Sequence, residues 1–135
     1  MESMFEGATS FNQAISTMLV GEVTTIHSMF LGATAFNSPI FTNTAKVTTM
    51  DSMFSGATSF NQDVSGMNVG AVTTMDQMFQ GASAFNQDLC LLGSAMAAAP
   101  IPTVSSMFAS TSCSDTSNPD PTSTPVAPLC KATCP

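Results

Sequence analysis

One phrase, Met-Phe-x-Gly-Ala-x-x-Phe-Asn, begins at Met4, Met29, Met53 and Met78, in steps of 25, 24 and 25 residues. A degraded fifth copy begins at Met107, after a step of 29. Self-similarity at a fixed period of this size predicts a solenoid, in which one supersecondary unit stacks on the next and the core forms between neighbours. Such a stack exposes columns of equivalent side chains and seldom builds a deep reactive pocket. Binding is therefore expected ahead of catalysis.

Composition narrows the partners. At 44% apolar residues the chain is too hydrophobic to stay disordered, and it has no apolar run long enough to span a bilayer. Lys46 and Lys131 stand alone against nine acidic residues, so no nucleic-acid partner and no membrane insertion are expected, and polyanions and anionic membranes are poor partners. With only 8% charged residues, surface polarity must come from Ser, Thr, Asn and Gln, which points outside the cell. Cys90, Cys113, Cys130 and Cys134 all lie in the last third, and an even number beside a Pro/Ser/Thr-rich segment predicts two disulfides in an oxidising compartment. Three pairings are possible, and Cys90–Cys113 with Cys130–Cys134 is the expected one. No signal peptide is visible, and Met1 aligns with Ile26, Met50 and Met75, so the expectation is a fragment opening in mid-repeat.

Within the unit, Val23, Ile26, Met29, Phe30 and Ala33 fall on one stripe of a helix, and so do Val47, Met50, Met53, Phe54 and Ala57. Val72, Met75, Met78, Phe79 and Ala82 repeat it. Thr48 or Thr49 would cap the helix with Asp51 in its first turn, as Thr73 and Asp76 would in the next copy. Gly7, Gly32, Gly56 and Gly81 suit a left-handed turn that ends it. The second half of each unit, Phe11–Ile15, Phe36–Ile40, Phe60–Val64 and Phe85–Leu89, predicts a short strand in a parallel sheet. The expected fold is thus an α/β solenoid of leucine-rich-repeat type, with one short helix and one short parallel strand per coil.

Met29, Phe30, Phe36, Met53, Phe54, Phe60, Met78, Phe79 and Phe85 are the expected repeat core. Asn12, Asn37, Asn61 and Asn86 form a column whose amides, turned inward, would satisfy loop carbonyls and amides. Two registers stay open: if the strand begins at Phe the following Gln is also inside, and if it begins after Asn the alternation shifts.

Val47 to Ser65 reads Val-Thr-Thr-Met-Asp-Ser-Met-Phe-Ser-Gly-Ala-Thr-Ser-Phe-Asn-Gln-Asp-Val-Ser. This resembles the repeat of BspA-type leucine-rich-repeat surface proteins, V-T-x-M-x-x-M-F-x-x-A-x-x-F-N-Q-x-[IL]-S. The match runs from residue 1 to about 90 and partly over 101–110. The resemblance implies a solenoid on bacterial or algal surfaces, adhesion to host or matrix, and repeats that end in a Cys-rich segment. Two departures stand out: Met18 and Met67 occupy the place where the family often has Trp, and Ser38-Pro39 replaces Gln-Asp in the second copy.

The chain divides into a four-coil solenoid over 1–89, an atypical terminal coil and cap over 90–113, and a Pro/Ser/Thr-rich tail over 114–135 carrying the last Cys pair. The tail is expected to be an extended linker without a core, open to O-glycosylation. The Met column reads as core in preference to a soft-metal site. Asp63 and Asp88 are turn carboxylates in preference to a calcium pair. His27, in a column with Glu2 and Asp51, is expected to tie neighbouring coils while its charged form is favoured by those acids. No catalytic set and no cofactor or metal site is expected. The function expected is a non-enzymatic adhesion or binding module meeting an extracellular protein or glycan, at the cell surface or beyond. A structural wall or matrix component is the alternative. Ice binding is the other, weighed down by Thr pairs that sit at helix starts, roughly 10 Å apart from coil to coil.

Overall fold

The structure is a computed structural model that describes residues 1–97, 100–131 and 134. The coils stack, but they are built from consecutive tight turns and not from helices and strands. In the second copy, Met29 N–H donates to Ile26 O (3.3 Å), Leu31 N–H to Ser28 O (3.1 Å) and Ala33 N–H to Phe30 O (3.0 Å). The residues between them donate outward: Ile26 to Thr49 O (3.1 Å), Ser28 to Asp51 O (2.9 Å), Phe30 to Met53 O (2.8 Å) and Gly32 to Ser55 O (2.8 Å). Alternate N–H groups therefore close the coil on itself and join it to the next coil. Met50, Ser52, Phe54 and Gly56 repeat the outward set onto Thr74, Asp76, Met78 and Gln80.

The expected α/β solenoid of helix and strand repeats is thereby overturned. An α-helix would spend every amide on its own i−4 carbonyl and leave none to join coils. Left-handed residues enforce the alternative, with φ of 53° at Ser28, 55° at Ser52, 59° at Gln77 and 54° at Ser106, positions that a helix would keep right-handed. The glycines end each turn sequence as expected, with φ of 68° at Gly32 and 69° at Gly56. The apolar stripe misled because turns that close onto the residue three back, Met29 onto Ile26 and Ala33 onto Phe30, bury the same positions that a helix would. Among the described residues the single helix, α1, is Cys90–Met96.

The strands are also corrected. Residues 11–15, 36–40, 60–64 and 85–89 carry no strand pairing; the parallel bridges found join Thr25 to Thr49, Thr49 to Thr74 and Thr74 to Thr103. Thr25, Thr49 and Thr74 belong to the Thr pairs placed by the sequence at helix starts roughly 10 Å apart. They sit instead at the pairing distance of neighbouring strands, roughly 4.8 Å.

Inside the coils two files of phenylalanine rings run along the stack. Phe30, Phe54 and Phe79 follow one another at centroid separations of 5.5 Å, and Phe108 follows Phe79 at 5.8 Å. Phe36, Phe60 and Phe85 form the second file at 5.8 and 6.0 Å, pressed against the first, with Phe54 and Phe60 only 3.9 Å apart. All of these rings, with Met29, Met53 and Met78, are buried. Each ring fills the space between two coils, so its burial requires the neighbours to be in place.

The C-terminal segment departs from an extended linker. It folds back over α1: Val126, Leu129 and Cys130 are buried, Leu89 N–H reaches Leu129 O at 3.4 Å and Ser114 N–H reaches Cys130 O at 3.2 Å. A Cβ on Gly93 would stand 2.6 Å from Leu129 Cδ1, so this glycine admits the segment to the helix. The return brings Cys130 beside Cys113 and Cys134 beside Cys90, and the disulfides are Cys90–Cys134 and Cys113–Cys130, with Cα separations of 5.3 and 4.7 Å. The expected Cys90–Cys113 and Cys130–Cys134 pairing fails because it supposed a tail lying away from the body. Ala98 and Ala99 of the Ala-rich insert lie outside the described residues.

Candidate functional site

The Asn column joins the coils at the surface and not inside them. Asn37 N–H donates to Asn12 Oδ1 (2.7 Å), Asn61 N–H to Asn37 Oδ1 (2.9 Å) and Asn86 N–H to Asn61 Oδ1 (2.9 Å). The donor in each case is a backbone N–H, so the accepting atom must be the oxygen, which fixes the orientation of the amide. Gln62 Nε2 donates to Asn37 O (2.9 Å) and Asn37 Oδ1 (3.1 Å), and Gln87 Nε2 makes the same pair of bonds to Asn61 at 2.8 and 2.9 Å. Ser38, standing where Gln is usual, donates its Oγ–H to the same atoms of Asn12. Asn12, Asn37 and Asn86 are exposed and Asn61 is half-buried, contrary to the inward placement expected. The part played by Gln was the point sequence reasoning left open; the recurring Asn-Gln pair was its signal.

Hydroxyl columns flank this one. Thr34 and Thr58 on the same face donate to the carbonyls of Thr9 and Thr34 at 3.4 Å, and Ser112 donates to Ser83 O at 2.6 Å. Around the coil, Thr48 and Thr73 donate to Thr24 O and Thr48 O at 3.1 Å. Thr49 Oγ1 donates to Thr25 Oγ1 at 2.7 Å, and Thr103 Oγ1 to Thr74 Oγ1 at 3.0 Å. Each of these hydroxyls bonds to the rung before it.

Beside the bridges runs the column Glu2, His27, Asp51, Asp76. Asp51 Oδ1 accepts from Asp76 N–H (3.0 Å) and from the Thr74 hydroxyl; Asp76 accepts from Ser105 N–H (2.6 Å) and Thr103 Oγ1 (2.9 Å). His27 makes no such link. Its Nε2 lies 3.1 Å from Ser28 Oγ, and the ion pair found among the described residues is Lys46 with Glu22, on the surface at 2.6 Å.

Asp63 and Asp88 each close a turn on their own coil, accepting from Ser65 N–H (2.8 Å) and Cys90 N–H (3.0 Å). The Ser65 hydroxyl, then its N–H, holds the Asp63 carboxyl below its ordinary range. Met107, like the three methionines before it, is buried among the rings, whereas Met4 in the first coil is half-exposed. No group of three or more His, Cys, Asp or Glu is arranged to hold a metal ion among the described residues.

No curated protein matches this chain, and no solved structure does. One protein family does, over residues 1–119, a span that includes every repeat. The chain therefore belongs to the family described as "Mycoplasma protein of unknown function, DUF285", in keeping with a BspA-like repeat.

Proposed function

We propose that this protein is a non-enzymatic binding and adhesion module acting outside the cell or on its surface. The observation that carries the reading is the set of aligned, uncharged hydrogen-bonding columns, repeated once per coil and held in place by bonds to the neighbouring rung. A surface of this kind offers many weak, equivalent contacts to an extended partner, and affinity then grows with the number of rungs engaged. Two disulfides favour an oxidising compartment, and an excess of acidic over basic residues disfavours polyanions. Recombinant protein screened on an array of extracellular proteins and glycans tests the reading. Saturable binding supports it, and silence across the array assigns the chain to the fabric of a wall or matrix instead.

Ice binding is a second reading, favoured by one observation: the threonine column is bridged in parallel from Thr25 to Thr103, at strand spacing and not at helix spacing. Thermal hysteresis in a freezing assay decides it.

A further inference from the structure

We infer that the amide column is the recognition strip and that its ligand is a neutral, unbranched polysaccharide lying along the stack axis; this rests on the binding reading above. The oxygens of Asn12, Asn37 and Asn61 are occupied by backbone N–H groups of the next rung. Their Nδ2 groups find no protein acceptor among the described residues and stand at the surface. Gln62 and Gln87 are locked the opposite way. Each gives its Nε2 to a main-chain carbonyl, which can only accept, so Oε1 is the atom left over.

Each such rung thus offers one fixed donor and one fixed acceptor side by side. A ligand group that complements both must donate and accept, as a hydroxyl does through a single atom; an extended peptide also carries both, but presents them on one side only every second residue, about 6.7 Å apart, which is longer than the coil repeat. Phosphate, sulfate and carboxylate can only accept, and ammonium groups can only donate. The rungs recur once per coil, and the coils repeat at roughly 4.8 Å where the threonines are bridged and at 5.5 to 6.0 Å along the buried ring files. An extended pyranose chain advances by a similar distance per sugar, so successive sugars can meet successive rungs. The hydroxyl column through Thr34 and Thr58 on the same face widens the strip without adding charge. Because the side chains are tied down before the ligand arrives, little conformational entropy is lost on binding.

The test keeps the framework and reverses the outward atom. Asn37→Asp and Asn61→Asp retain an oxygen for the next rung's N–H while turning the free donor into an acceptor. Affinity electrophoresis and pull-down with soluble and insoluble neutral glucans, mannans and xylans, beside polygalacturonate and hyaluronan, read the outcome. The expected result is binding to at least one neutral chain, tightening with oligosaccharide length up to about the three rungs whose amides are fixed, and weakened roughly tenfold in the double variant. The variant's melting midpoint should stay at or above that of the parent chain. Length dependence in the parent chain is independent of how the variant folds. Unchanged affinity in a folded double variant overturns the inference, as does tighter binding to the polyanions. Binding to proteins but to no neutral glycan overturns it while leaving the adhesion reading standing; silence toward every ligand overturns both.

Discussion

Gln77 offers a direct test of turns against helix. It lies in the middle of the former helix stripe, is exposed, and has φ of 59°. A left-handed conformation costs an L-residue roughly 1–2 kcal/mol, a strain that glycine escapes at an entropic cost of roughly 0.5–1 kcal/mol. Gln77→Gly should therefore leave stability unchanged or raise it by up to about 1 kcal/mol, whereas Gln77→Ala keeps the strain and gains nothing. In a helix the order reverses, because glycine is about 1 kcal/mol worse than alanine. Between the two geometries the Gly-minus-Ala difference changes sign and moves by about 1–2 kcal/mol. Urea unfolding resolves this: at a slope of about 1–3 kcal/mol/M, the glycine midpoint should lie at or above the alanine midpoint, by up to roughly 1 M, where a helix would place it below. Gly56→Ala supplies the mirror experiment. A Cβ there would meet nothing closer than 3.7 Å, so its cost of about 1–2 kcal/mol is backbone strain alone. An alanine variant at residue 77 more stable than the glycine variant would falsify the turn architecture.

Phe54→Leu should cost more than Phe5→Leu, by about 1 kcal/mol or more in urea unfolding. Phe54 is buried against three rings, Phe30, Phe60 and Phe79, whereas Phe5 is half-buried and meets two, at about 0.5–1.5 kcal/mol per pair. His27→Asn with Ser28→Ala should be more stable than Ser28→Ala alone by about 0.5–1.5 kcal/mol, supplying Asp51 N–H with the acceptor that Asp51 and Asp76 give their own neighbours once the His27–Ser28 bond is removed from both; equal melting midpoints would count against the column. Because Asp63 has a lowered pKa in the folded chain, its contribution is present above the unfolded value of about 3.9 and is lost as pH falls through the folded value. Acid titration of stability should therefore be shallower for Asp63→Asn, and identical profiles would deny the bond to Ser65 any role. Gly93→Ala should loosen the packing of the C-terminal segment on α1 while the disulfides keep it tethered, seen as faster proteolysis near Val126, since the new Cβ would press on Leu129 Cδ1 and the Val126 carbonyl.

What the sequence disclosed depends on which signals are specific to one backbone. The period and the phase of Phe30, Phe54 and Phe79 show directly as buried, stacked rings, because burial follows from side-chain chemistry whatever path the backbone takes. The backbone itself was misread. Apolar spacings of three and four suit a helix, but a train of turns that close onto the residue three back gives the same pattern, and only the left-handed positions separate the two. Those positions carry Ser28, Ser52, Gln77 and Ser106, residues that a sequence reader takes for solvent-facing helix. The glycines were legible because their column falls where a left-handed residue was already demanded.

The disulfides failed for a related reason, since pairing is set by where a segment returns, and the return is decided by Val126 and Leu129 fitting over Gly93. Two apolar residues in a stretch of Pro, Ser and Thr are too few to distinguish a docked segment from a linker by composition. For the candidate site, the Asn column was visible as a repeat, but its direction was not, because an amide can serve buried loops or exposed rungs equally well. The direction is settled by the partner: an N–H of the next coil occupies the oxygen and leaves the other end of the amide to whatever lies outside. A column that holds the coils in register thus also presents a row of fixed donors, so each coil added lengthens that row by one rung without altering those already built.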